Sequence, residues 1–116
     1  MSRENRLMWL AEPLEELQGY MVKAMFGAKG CYAHGMLVLV LSDRDEPWNG
    51  VLVPTEREFH ASLIIDIPAL RQHPVLGKWL YVPENDDDFE SAVSDVVELI
   101  VAVDPRIGVE PKPRKT

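Results

Sequence analysis

Between Met25 and Leu41 the chain is punctuated by two reversals and then runs apolar without a break. Met25-Phe26-Gly27-Ala28-Lys29-Gly30-Cys31-Tyr32 sets an apolar pair ahead of two glycines three apart, then an aromatic. His34-Gly35 follows, ahead of Met36-Leu37-Val38-Leu39-Val40-Leu41. Gly27 and Gly30 are free to take the positive φ that a tight reversal needs. His34-Gly35 suits a two-residue hairpin turn. An apolar run that does not alternate belongs to a strand covered on both faces. The stretch therefore predicts strands over 20–26, 30–33 and 36–41, paired as antiparallel hairpins. In the first of these, Tyr20, Val22, Ala24 and Phe26 share a face.

The remaining elements gather around that core. Residues 3–17 place Leu7, Leu10, Ala11, Leu14 and Leu17 on a helical stripe, interrupted at Pro13, which predicts a kink or two short pieces. Met8 and Trp9 fall off the stripe and are expected at the surface. Residues 42–49 read as a polar loop anchored by Trp48, and 50–53 as a returning strand stopped by Pro54. Thr55-Glu56-Arg57-Glu58 matches a capping box, opening a helix to about residue 62. Pro68 is expected to open a short helical turn through Gln72. Residues 77–82 form a last strand before Pro83. Asn85-Asp86-Asp87-Asp88 then opens a helix carrying Phe89, Val93, Val96, Val97, Ile100 and Val101 at helical spacing.

A chain of 116 residues fits one domain with a single core. The domain is expected over 1–108, with 109–116 as a mobile basic tail. One cysteine, Cys31, leaves no intrachain disulfide and no reason to invoke an oxidising compartment. No apolar run has the length of a membrane span, and the N-terminal residues do not read as a signal peptide. A cytoplasmic domain is the expectation. The net charge is −7, divided between +3 over residues 105–116 and −10 over 1–104. That balance works against phosphate-backbone binding, which depends on clustered Lys and Arg.

The candidate chemical groups do not assemble into a reactive set. His34, His60 and His73 lack metal-ligand spacing, and one cysteine adds little to them. Glu84, Asp86, Asp87, Asp88 and Glu90 lack the spacing and central glycine of a calcium loop; acids opening a helix are explained by its dipole. Cys31 is a nucleophile only if a cation such as Lys29 depresses its pKa; an inert strand thiol is the preferred reading. Gly27 and Gly30 are too close for a nucleotide fingerprint. No catalytic residue, metal or cofactor is expected, and the chain is read as a non-enzyme.

Met25, Phe26, Gly27, Gly30 and Tyr32, with His34-Gly35-Met36 and Lys78-Trp79-Leu80-Tyr81-Val82-Pro83, resemble the signature of TfoX N-terminal domains, relatives of the MmcQ/YjbR-like proteins. The likeness spans residues 7–103. It implies a two-layer α+β fold, an antiparallel sheet of about five strands with helices packed on it. Ala28 replaces a second glycine of the family pattern, and the arginines that often precede the motif are here Lys23 and Ala24. TfoX itself carries a second, C-terminal domain that is not expected in these residues, so competence regulation is not expected to transfer.

Three functions are weighed on these grounds. The first is a regulatory or protein-interaction module. It would self-associate as a homodimer, covering the outer face of the doubly buried strand, with Trp9 and Trp48 as contact residues. The second is a nucleic-acid-associated regulator, disfavoured by charge. The third is a small-molecule-binding protein or minor enzyme with a pocket near Cys31, Tyr32 and His34.

Overall fold

The computed structural model describes residues 5–25 and 27–111. Phe26 and the basic residues Lys112, Arg114 and Lys115 of the expected tail lie outside them, as does the start of the first stripe. The chain is α+β. Six strands, β1 (Met21–Met25), β2 (Ala28–Ala33), β3 (Met36–Asp43), β4 (Asn49–Val53), β5 (Arg71–Gln72) and β6 (Leu80–Pro83), form one sheet in the order β1-β2-β3-β4-β6-β5. Every neighbouring pair is antiparallel. A 3-10 helix, Met8–Leu14, precedes the sheet; α1 (His60–Asp66) and α2 (Phe89–Val101) follow β4 and β6.

The hairpins follow from the glycine punctuation. Met25 pairs with Ala28, which leaves two residues for the reversal, and Gly27 sits there at φ 81°. His34 and Gly35 have φ 55° and 78°, the double left-handed geometry of a tight hairpin turn. Gly30 departs from expectation: it is an ordinary strand residue opposite Lys23 and Val40. A Cβ there would stand 2.6 Å from Met25 Sδ, a flexible side-chain atom that can move aside. The most confined glycine is Gly50, whose added Cβ would meet the Val82 carbonyl oxygen at 2.1 Å.

β3 is buried on both faces, as its unbroken apolar run requires. Leu39 and Leu41 join Val51, Val53, Leu80 and Val82 beneath the helices. Val40, Leu52 and Tyr81, aligned across three strands, lie on the opposite face with Leu37 and Ala28. A bulge interrupts the alternation. Cys31 pairs with Leu39 and Tyr32 with Leu37, so Val38 is an extra residue and joins Leu39 on the helix side.

The sheet's outer face is covered by the chain's own loops. Trp48, Leu76, Trp79 and Val109 pack onto it. This corrects the ground on which self-association was expected: no partner is needed to bury β3. The tail boundary shifts as well, since Val109 and Leu37 exchange both backbone hydrogen bonds, at 2.9 and 3.0 Å.

Several local expectations change for identifiable reasons. The first stripe buries Leu7, Leu10, Ala11 and Leu14 as expected, but over Met8–Leu14 it is 3-10, with Pro13 inside it. Thr55 does not cap a helix. It is fully buried, its hydroxyl donates to the Arg106 carbonyl at 2.6 Å, and the turn that follows starts after Glu56 with no side-chain cap. A 3-10 turn at Arg57–Phe59 leads into α1, which reaches Asp66. Residues 71–72, expected in a helical turn, form β5, the strand that raises the count to six. Val101, expected on the buried stripe of α2, is exposed.

The close approach at Gly50 generates a ranking. Gly50→Ala should cost about 3 kcal/mol or more, because only backbone of β6 can yield. Gly27→Ala, strained by its φ alone, should cost about 1–2 kcal/mol. Urea unfolding of both variants checks this, and the Gly50 assignment fails if its alanine is no worse than that of Gly27.

Candidate partner surface and outer cleft

The residues singled out from sequence are distributed over two opposite sides of the sheet. Met25 and Tyr32 lie on the outer face, where they line a cleft of about 680 Å³ with Met36, Leu37, Trp79 and Val109. The Lys23 ammonium stands 5.4 Å from the Tyr32 ring centre, a cation–π contact. At the rim Lys78 Nζ is 3.3 Å from a carboxylate oxygen of Glu56. Gly27 and Gly35 shape the turns and contribute no polar side chain.

Trp48 is half-buried in this outer layer, contrary to its expected place on a free surface. Its ring centre lies 4.6 Å from that of His73, which in turn meets Tyr81 at 4.8 Å. His73 is 1% exposed and saturated with hydrogen bonds. Nδ1 accepts from the backbone N–H groups of Val75 and Leu76 at 3.1 and 3.0 Å, so Nε2 carries the proton and donates to Pro47 O at 2.9 Å. Burial lowers the His73 pKa from the ordinary imidazole value, against an opposing contribution from the Pro47 bond. His73 is thus a structural imidazole holding 47–48 and 75–76 to the sheet. His34 is exposed in a turn, and His60 Nε2 lies 2.8 Å from Lys78 O.

Cys31 lies on the helix side, fully buried, away from Tyr32 across the sheet. Burial pushes its thiol pKa up to about 11, only partly opposed by a hydrogen bond with Tyr20. A thiolate nucleophile needs the opposite shift. Cys31, Tyr32 and His34 therefore do not converge on one pocket.

The acidic run before α2 is engaged in fixing chain segments. Both oxygens of Glu84 accept from the Arg6 guanidinium, at 2.7 and 3.0 Å, which holds the Glu84 carboxyl below its usual range. Asp86 accepts from the Asp88 backbone N–H at 2.8 Å and pairs with Arg71. Among the described residues no three His, Cys, Asp or Glu side chains converge as a metal site. No helix there is long and apolar enough to cross a membrane.

Trp9 is where sequence reasoning placed it, 54% exposed on the helix layer. It stands at one end of a groove between the 3-10 helix and α2. Two adjoining depressions of about 400 and 450 Å³ share Pro13, Ser94 and Val97 as lining. Val93 lies below Trp9, and Val101 and Ala102 close the far end. Glu12, Glu90 and Glu98 stand at its sides. The groove itself was missed because Pro13 and Val101 carry no surface signal in sequence.

Compared with protein-family models, curated proteins and solved structures, the chain matches none. The chemistry of its groups is accordingly tested on the chain itself. His73 has a folded pKa below its unfolded value, so the unfolded chain binds more protons as pH falls through about 6.5. Its stabilising contribution is present above that pH and declines below it, by at most ~1.4 kcal/mol per pH unit for one proton. Unfolding free energies from pH 7.5 to 5.5 should fall in the wild type more steeply than in His73→Gln. Parallel curves would reject this role for His73.

Proposed function

We propose that the chain is a non-catalytic regulatory or protein-interaction module whose partner surface is the helix layer around Trp9. The observation that carries this reading is the exposed Trp9 at the end of an apolar groove. A large aromatic left in water beside an apolar depression is the residue type that anchors protein contacts. Membership of the TfoX N-terminal-like family, with a cytoplasmic location, belongs to the same proposal and rests on Met25, Gly27, Gly30, Tyr32 and the Lys78–Pro83 stretch. A homodimer through the helix layer is disfavoured, because a two-fold contact sets like patches together and this patch is acidic. The same acidity argues against nucleic acid.

A variant tests the surface. Trp9→Asp should leave unfolding stability within about 0.5 kcal/mol of wild type, as an exposed substitution. It should at the same time lose the proteins that the wild-type chain retains from its native lysate. Identical retained sets for the two forms would defeat the Trp9 reading.

A second reading has its own observation. The outer cleft, about 680 Å³ and floored by Met25, Leu37 and Trp79, falls in the size range of small-molecule sites. Native mass spectrometry of freshly purified protein should then record added mass that Leu37→Trp, which fills the cleft, abolishes. A bare chain at every concentration would remove this alternative.

A further inference from the structure

The groove between the 3-10 helix and α2 has an asymmetric chemistry that selects its occupant. Its floor is apolar: Leu10, Pro13, Val93 and Val97, with Trp9 at one end and Val101 at the other. Its sides carry Glu12, Glu90 and Glu98. None of these three has an ion-pair partner among the described residues. The arginines that neutralise neighbouring acids act elsewhere, Arg6 on Glu84, Arg71 on Asp86 and Arg106 on Asp104. The two helices that build this layer, Met8–Leu14 and Phe89–Val101, hold four acids, Glu12, Glu90, Asp95 and Glu98, and no Lys or Arg.

We propose that this groove takes a cationic amphipathic helix of a partner protein. Apolar side chains of that helix lie on the Val93–Val97 floor, and Lys or Arg heads reach Glu12, Glu90 and Glu98. The inference rests on the partner-surface reading above and adds the chemistry of the partner. Its dimensions agree: Glu90 to Val101 spans roughly 16 Å along α2 at about 1.5 Å per residue, about three turns of an opposing helix. The walls favour a helix over a strand. Both are helical, with their backbone groups bonded internally, so they offer no free strand edge for β-addition. A helix satisfies its own backbone and presents apolar anchors at i, i+3, i+4 and i+7 to such a groove. The rim carboxylates then act chiefly on association rate and on discrimination between partners.

The test is an NMR titration of the full ¹⁵N-labelled chain with a 14-residue amphipathic Leu/Lys peptide, and with its Leu/Glu counterpart. The expected result is amide shifts confined to residues 9–13 and 90–102 with the Leu/Lys peptide alone. Raising the salt should weaken binding. Trp9→Ala and the double variant Glu12→Lys/Glu98→Lys should each weaken it by about tenfold or more. All three positions are exposed, so unchanged unfolding curves will separate lost binding from lost fold. Equal binding of the Leu/Glu peptide at the same residues overturns the cationic assignment and leaves the partner surface standing. Shifts spread over the acidic surface and indifferent to the variants overturn the groove as the site. The groove is overturned equally if neither peptide moves residues 9–13 and 90–102, and the lysate comparison with Trp9→Asp then decides the broader reading independently.

Discussion

β3 buries seven of its eight residues, and a strand so covered demands cover on both of its faces. The helices supply one side only. The rest of the chain answers that demand by folding non-helical segments over the other: the 44–48 loop brings Trp48, the 73–79 loop brings Leu76 and Trp79, and the return after α2 brings Val109. His73 is the fastener of this outer layer. Its ring lies between Trp48 and Tyr81 and saturates backbone groups from two loops at once. Burying an imidazole is costly unless both nitrogens are used, and here both are.

Charge in this molecule sorts by location. The bidentate Arg6–Glu84 contact joins residues 78 apart, and Arg106 links α1 to the turn after α2 through Asp66 and Asp104. The Arg106 guanidinium also holds the Asp104 carboxyl below its usual range. Partly exposed pairs of this kind contribute on the order of 0–1 kcal/mol each. Their effect is more on where a segment lies than on how stable the fold is. The acids left over, on the 3-10 helix and α2, give that layer a field of one sign beside its apolar groove.

Much of the sheet was legible in the residues, because its signals are local. Glycine and His34-Gly35 specify hairpins, and the run from Met36 announces a strand with two covered faces. The failures are places where the deciding contact is distant in sequence or the local signal is silent. Thr55 satisfies the pattern of a cap, but Arg106 O, far away in sequence, takes its hydroxyl. β5 is only two residues long and both are exposed, so no periodicity marks it. The Val38 bulge is invisible in a run where every residue is apolar. At the candidate site, Trp9 was legible as an off-stripe aromatic; Trp48 was not, since its cover comes from His73, 25 positions on.

The return of the chain after α2 ties together segments that are remote in sequence. Thr55 grips the Arg106 carbonyl, Pro54 accepts from Gly108, and Leu37 pairs with Val109. Each of these contacts joins residues more than fifty positions apart in the chain. Val109 packs on the outer face and pairs with Leu37, which is buried. The return is therefore a latch that fastens the outer layer to β3 and to the segment after β4 at once, and keeps Leu37 out of water.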